Sequence, residues 1–573
     1  MERDLGKIKV DYREQELLDI SEFNQQYTYS TIETHHEYEP YTMTNLQSYN
    51  PIYAKLFTIN KSADNIVLQH KYHIHNLHSI VNTRTGEIVE APIFVKFSPL
   101  LDPIKYMIGK YPLQDDKIRT LPNPSDSSTF PKLADENNAA YIDGFFSFLS
   151  SQLLEQHGFL HGIDYYSSYL GVQDKFKMNV SDDIEYLYTS DYFNRNVGKH
   201  FFISDDVRQN ICEGFGSRAN KNKLTIQSED VDLVDLGAEE IIDIDESIPA
   251  ESSCEENEVI YEKASNSTQS STDSSNNSEV IYSSSDSASD SDDDDSDESD
   301  DDESDDDASE SSIASSECDN VFAFLPKFPV QMICLEKCAG TFDDLLDKGV
   351  IDECEGASAL FQIVMTLLVY QRAFSFTHND LHTNNIMYVN TDIEYLHYMW
   401  ENRVYRVPTY GKIYKIIDFG RSIYRYGGKT FCSDSFATGG DAATQYNCEP
   451  YFNESRPRLD PNPAFDLCRL GCSMYDFLIE DERESDMNDY QKTVARWCKD
   501  DAGRNVLYKR SGEERYPNFK LYKMIARIVH HHTPQEQLNF PMFAQFLMSE
   551  AERCRFVDGE PGMMNVDAIP KYA

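Results

Sequence analysis

"FTHNDLHTNNIMYV" occupies Phe376–Val389. One aspartate, Asp380, stands between His378 and His382, and Asn385 follows five positions later. The polar residues are too dense for a core and too ordered for a linker, so the stretch reads as a loop between two short strands. Just upstream, "ALFQIVMTLLVY" from Ala359 is an apolar run broken by Gln362 and Thr366. It is too short to span a bilayer and reads as a buried helix. Downstream, "YKIIDFG" puts Asp418 at the end of an apolar strand.

Composition bounds what surrounds this stretch. The chain has 573 residues, of which 40% are apolar, enough to bury a core. Its formal charge is −48, but residues 251–320 hold 25 acidic side chains against one basic one, Lys263. The low pI therefore describes an insert, not the fold. Direct nucleic-acid binding needs clustered Lys and Arg, so this acidity argues against it and favours basic partners. The twelve cysteines lack zinc-knuckle spacing: Cys334/Cys338 and Cys468/Cys472 are separated by three residues. They read as reduced, buried thiols of an intracellular protein. The opening "MERDLGKIKVDYREQELLDI" is charged throughout, so no secretory signal is expected, and no membrane segment is.

Five regions follow from patterning. Residues 1–52 are Tyr-rich without a clear period and are expected to be irregular. Residues 53–227 turn to strands: "KYHIHNLHSIV", a turn at "NTRTGE", then "IVEAPIFVKF". There "AAYIDGFFSFLSSQLLEQHG" predicts a helix of about five turns that Gly158 stops, and "IDYYSSYLGV" another strand. Residues 228–320 are Ser, Asp and Glu with few aromatics; too little apolar surface is available to offset ordering entropy, which predicts disorder. Residues 321–338 resume with the strand "VQMICLEK", and residues 339–573 are mostly helical. Strands early and helices late predict an α+β fold of two unlike lobes.

Four stretches line up in order: "IFVKF" with Lys96, "QMICLEKCAGTFDDLL", "HNDLHTNN", and "IIDFG". This series resembles the protein-kinase signature set, with H-x-D-L-x-x-x-N followed by D-F-G; "FDLCRLGCSMYDFL" adds Asp466 and Gly471 in register with the family's D-x-W-x-x-G helix. The resemblance covers roughly 53–180 and 325–550, and is also to the divergent kinases of large nucleocytoplasmic DNA viruses. It implies a two-lobed protein-kinase-like fold, with a small β-rich N-lobe and a larger helical C-lobe. It further implies a serine/threonine-protein kinase using ATP and Mg²⁺, located in host cytoplasm or virion if viral. Asp380 would take the substrate hydroxyl's proton, Asn385 and Asp418 would hold metal, and Lys96 would grip the α- and β-phosphates. Leu335, Glu336 and Cys338 would line the adenine at the link between lobes. Hard oxygen ligands of this kind suit Mg²⁺.

The pattern departs from the family in several places. No G-x-G-x-x-G precedes Lys96; the region "TINKSADNIVL" expected to hold it has no glycine. The acid that would pair with Lys96 is Asp143, with Glu136 and Glu155 as alternatives. Asn379 stands where the family has Arg, and His382 where it has Lys; His378 reads as a brace for the loop, while His382 either faces the γ-phosphate or shapes the loop. No A-P-E is present, though Glu449 or Glu454 could serve. Ser433, Ser435 and Thr438 are expected to be exposed in a loop, and "NTDIEYLHYMWENRVYRVPTYGK" reads as an extra hairpin. Two other functions stay open: a small-molecule phosphotransferase, for which His382 is the cue, and a pseudokinase acting as a binding module, for which the missing glycine loop is the cue.

Overall fold

The computed structural model describes residues 8–14, 17–26, 38–58, 65–124, 129–204, 321–479, 487–553 and 562–573. The fold is α+β, with several small, mostly antiparallel sheets and interspersed helices. The acidic insert expected at 228–320 lies outside the described residues, as do 59–64 within the expected phosphate loop.

The first part is strand-rich. It comprises β1 (Met43–Gln47), a meander of β2 (Tyr72–Asn76), β3 (Ser79–Asn82) and β4 (Ile88–Glu90), then β5 (Ile93–Pro99). After these come α1 (Ala139–His157), β6 (Tyr165–Asn179) and β7 (Phe322–Glu336). The main sheet runs β1–β6–β7–β5, every pair antiparallel. Residues 1–52, expected to be irregular, thus supply an edge strand. β1 pairs with β6 through Met43↔Gln173 and Thr44↔Val172, and its backbone satisfies that edge.

Period-two alternation along β5 buries Ile93, Val95 and Phe97 on one face and turns Lys96 to the other. On Lys96's face lies α1. Asn138 caps this helix by accepting the Ala140 N–H, and Gly158 ends it at φ +66. Helix and sheet approach closely at Gly144, where a Cβ would lie 2.4 Å from Gln331 Nε2 of β7. Almost every residue of α1 from Ala140 to Leu153 is buried. Each large apolar side chain hidden there contributes about 1.5–3 kcal/mol.

The second part is helix-rich. Its central helix, α2 (Glu353–Phe374), is capped by Asp352, which accepts the Glu355 N–H, and Glu353 and Glu355 complement the positive end. The expected apolar run is the middle of this longer, 22-residue helix. Its length and composition would suffice to cross a membrane, but 89% of its apolar window is buried inside the protein. Next come β8 (Ile386–Asn390) and β9 (Lys412–Ile416), paired antiparallel with Ile386 opposite Ile416. Between them, Tyr395–Trp400 and Arg403–Pro408 form the expected hairpin, turned by Glu401 and Asn402, both at positive φ. The helices α3 (Phe465–Leu478), α4 (Asp489–Trp497) and α5 (Lys520–Ile528) follow.

Candidate active site

β5, α1 and the end of β9 bring three charged side chains together. Lys96 Nζ donates to Asp143 Oδ2 at 2.8 Å and to Asp418 Oδ1 at 2.8 Å. These residues are 47 and 322 positions from Lys96 in sequence. The second oxygen of Asp143 accepts the Phe419 N–H at 2.9 Å, so one α1 carboxylate holds both the lysine and the backbone after Asp418. Burial alone would lower the Lys96 pKa; Asp143 and then Asp418 more than offset it and hold the ammonium charged. Burial opposes the ionised Asp418, and Lys96 outweighs it, holding that carboxyl at about 2.

The other candidate partners of Lys96 lie elsewhere. Glu136, which precedes α1, pairs with Lys55 at 3.0 Å. Glu155, near the end of α1, accepts the Lys71 N–H at 3.2 Å; burial raises its carboxyl to about 7. Only Asp143 stands in the turn of α1 that faces β5.

Asp418 has φ +61 and Asn379, just before Asp380, φ +65. Left-handed backbone at non-glycine residues stores strain, and Asn and Asp tolerate it best. At Asn379 the surroundings hold the strained turn firmly. Its side-chain amide donates to Thr377 O and Arg421 O and accepts the Tyr446 hydroxyl at 2.9 Å. Asp466, fully buried on α3, accepts the N–H groups of His378 and Asn379, each at 2.9 Å. His378 bonds Ile417 O through Nε2 at 2.9 Å, and Ile417 N–H donates to Asn385 O at 3.0 Å. The Asp380 loop and the Asp418 turn are therefore braced against each other, with His378 as the brace.

Behind them is an aromatic column. The Phe146 ring of α1 lies 4.3 Å from Phe376 and 4.7 Å from Phe419, and His378 is 5.9 Å from Phe419. Each such pair adds about 0.5–1.5 kcal/mol beyond its area, tying α1 to both loops.

Asn385 donates through Nδ2 to Asp380 O at 2.9 Å and to His382 Nε2 at 3.1 Å. Its Oδ1 therefore has no partner among the described residues, and neither does the second oxygen of Asp418. Both are hard oxygen donors, so the residues present fit Mg²⁺. No cluster of three or more His, Cys, Asp or Glu that could hold a metal occurs among the described residues, so any ion here would rely on the substrate and water for further ligands. Burial lowers the His382 imidazole to about 4, leaving it neutral.

The residues expected to meet adenine lie at the end of β7 and just beyond it. Leu335 is buried opposite Phe94. Glu336 does not face outward: its carboxylate accepts the Asp164 N–H at 2.7 Å and pairs with Lys415 of β9. Cys338 is half-buried, and burial pushes its thiol up to about 12. The neighbouring amides are engaged, Lys337 N with Pro92 O and Ala339 N with Tyr388 O, while the N–H and C=O of Cys338 are unpaired among the described residues. An unpaired donor and acceptor side by side suit a planar heterocycle.

Two expectations about the segment after Asp418 are corrected. Ser433 and Ser435 are buried, because Asp434 between them ties the segment to α1: it pairs with Lys132 and accepts the Ala139 N–H at 3.2 Å. Thr438 is exposed. Glu449 reaches only the exposed Arg458, at 2.7 Å, and Glu454 is exposed, so neither anchors this segment from within. The hairpin β3–β4, whose turn carries Gly86, leads directly into β5 and is the described hairpin nearest Lys96 in sequence.

Sequence reasoning missed Arg421, Asp441, Arg469 and Tyr522. Tyr522 donates to Asp380 Oδ1 at 2.9 Å, and Arg421 lies 3.6 Å from Asp380 Oδ2 and 2.8 Å from Asp441. Burial would raise the Asp380 carboxyl, but Arg421, His382, Arg469 and Tyr522 together lower it. Arg421 directly follows F-G and could have drawn attention; nothing in the sequence near Tyr522 signals its role. No protein-family profile matches the chain, and no curated protein does.

Proposed function

We propose that this chain is an ATP-dependent phosphotransferase with a two-lobed protein-kinase-like fold, acting on Ser/Thr hydroxyls of proteins. One observation carries the reading: Lys96 joins Asp143 and Asp418 at 2.8 Å each, across three separate elements. A buried lysine held by two carboxylates, beside a loop with a free amide oxygen and an ionised aspartate, suits a triphosphate and an acceptor hydroxyl.

In this reading Lys96 grips the α- and β-phosphates, and the unpaired backbone of Cys338 receives the adenine edge. Asp418 and Asn385 would hold Mg²⁺, which neutralises phosphate charge when bound. The acceptor oxygen bonds to the γ-phosphorus, the bond to the β–γ bridging oxygen breaks, and ADP leaves with that electron pair. The hydroxyl proton passes to Asp380, whose pKa is low enough to keep it ionised at neutral pH. With His382 neutral and accepting from Asn385, the cationic side chain paired with Asp380 is Arg421, 3.6 Å from its Oδ2.

The direct test is binding. The melting temperature of the full chain should rise with ATP plus Mg²⁺, and the rise should vanish in Lys96→Ala and Asp418→Asn. Equal shifts in wild type and both variants would remove the site from the reading.

A further inference from the structure

Asp380 is reached from a helix that none of the signature stretches contains. The Tyr522 hydroxyl of α5 donates to Asp380 Oδ1 at 2.9 Å and accepts from Arg469 Nε of α3 at 2.8 Å. Its one hydrogen is thereby committed to Asp380. The ring is fixed as well. Phe519 stacks on it at 5.4 Å, Phe465 meets it at 5.9 Å, and the Arg469 guanidinium lies 5.2 Å from its centre. Arg421 at 3.6 Å from Oδ2 is an ion-pair distance beyond a hydrogen bond. The two oxygens of Asp380 are therefore unequal: Oδ1 is anchored, while Oδ2 has no hydrogen bond and a guanidinium nearby.

We propose that Tyr522, held by Arg469, is the positioning residue for Asp380, reserving Oδ1 as the anchor and Oδ2 as the atom that takes the acceptor's proton. A carboxylate rotates freely about its last torsion unless one oxygen is tied. A general base must hold its oxygen within hydrogen-bond reach of the proton it removes. His378 and Asp466 fix the backbone of this loop but do not bond the carboxylate. The Tyr522 hydroxyl is the neutral hydrogen bond that does, and it leaves the charge on Asp380 available. The inference rests on the phosphotransferase reading above.

The test uses the full chain, γ-labelled ATP with Mg²⁺, and histone and casein as acceptors. Wild type against Asp380→Asn comes first: if both are inactive, or equally active, the phosphotransferase reading fails and this inference with it. Given an active wild type, Tyr522→Phe should lower kcat about tenfold or more while KM for ATP stays unchanged and the variant remains folded at the assay temperature. Arg469→Lys, which loses the Nε donor, should lower kcat in the same sense and serves if the Phe variant misfolds. In the Asp380→Asn background, Tyr522→Phe should have no further effect on the residual rate, because its only route is through that carboxylate. A kcat that is unchanged or raised in Tyr522→Phe overturns the proposal, the raised rate meaning that Tyr522 blocks the acceptor. The same fold-loss with and without Asp380 also overturns it, since that is a structural role.

Discussion

Residues set the chemistry here by where they place charge. Asp466 has no solvent exposure and spends its carboxylate on two backbone N–H groups of the Asp380 loop. Asp466→Ala leaves both donors buried and unpaired, so it should destabilise the protein by roughly 2–4 kcal/mol, read by urea unfolding. Asp380, Asn385 and Asp418 were legible in the sequence because their spacing within short stretches is itself the signal. Asp143 was legible only as one of three acids, since a helix offers every third or fourth residue to one face and the sequence does not say which face meets β5. Tyr522 was not legible: it lies 142 positions from Asp380, and only the packing of α5 on α3 brings them together.

At the scale of elements, α1 is the member that everything else grips. Its start is held by Asp434, its middle by the Phe146 column, and its Asp143 by Lys96 and Phe419. Asp434→Ala strands Lys132 and frees the Ala139 N–H, and should cost about 2 kcal/mol by thermal or urea unfolding. Ser433 and Ser435 were misread as exposed because a run of Gly, Ser and Thr looks like a loop; the buried Asp434 between them carries the information, and its partner Lys132 lies 302 residues away. The end of α1 leads to His161, whose ring is fully buried between Tyr414 O at 2.7 Å and Tyr398 OH at 2.8 Å. Burial lowers its pKa to about 4. The unfolded state binds the proton near 6.5, so His161 contributes stability above that pH and loses it as pH falls towards 4. The stability gap between wild type and His161→Gln should therefore narrow by roughly 2 kcal/mol from pH 7.5 to pH 5; a constant gap would contradict a neutral buried imidazole. Helix α1 was readable from its long helix-forming run and its Gly158 stop; β1 was not, because an edge strand on a long sheet needs only a few residues and no strong alternation.

For the whole molecule, the α+β character follows from strands in the first part and helices in the second, and the order of strand and helix patterns along the sequence anticipated it. The chain around residues 205–320 leaves and returns at one place. Ser204 N–H donates to Phe322 O at 2.9 Å, and Ser204 Oγ accepts the Phe322 N–H at 3.1 Å. Replacing 208–317 by a short Gly/Ser linker should therefore not lower the melting temperature, because loop closure depends weakly on length and a shorter loop costs less to close. The same deletion removes most of the charge concentrated in 251–320. If that charge draws basic acceptors, KM for histone should rise on deletion at low salt and not at high salt, while KM for casein stays put.

The central claim is that the Lys96, Asp143 and Asp418 cluster and the Asp380 loop form one phosphotransfer site. The measurement that bears on it most directly is transfer of the γ-phosphate from labelled ATP, with Mg²⁺, to protein hydroxyls by wild type and by Asp380→Asn. The account predicts label in phosphoserine or phosphothreonine with wild type and a loss of about a hundredfold or more with the variant. Equal labelling by both proteins, or none by a wild type whose fold is intact, would contradict it.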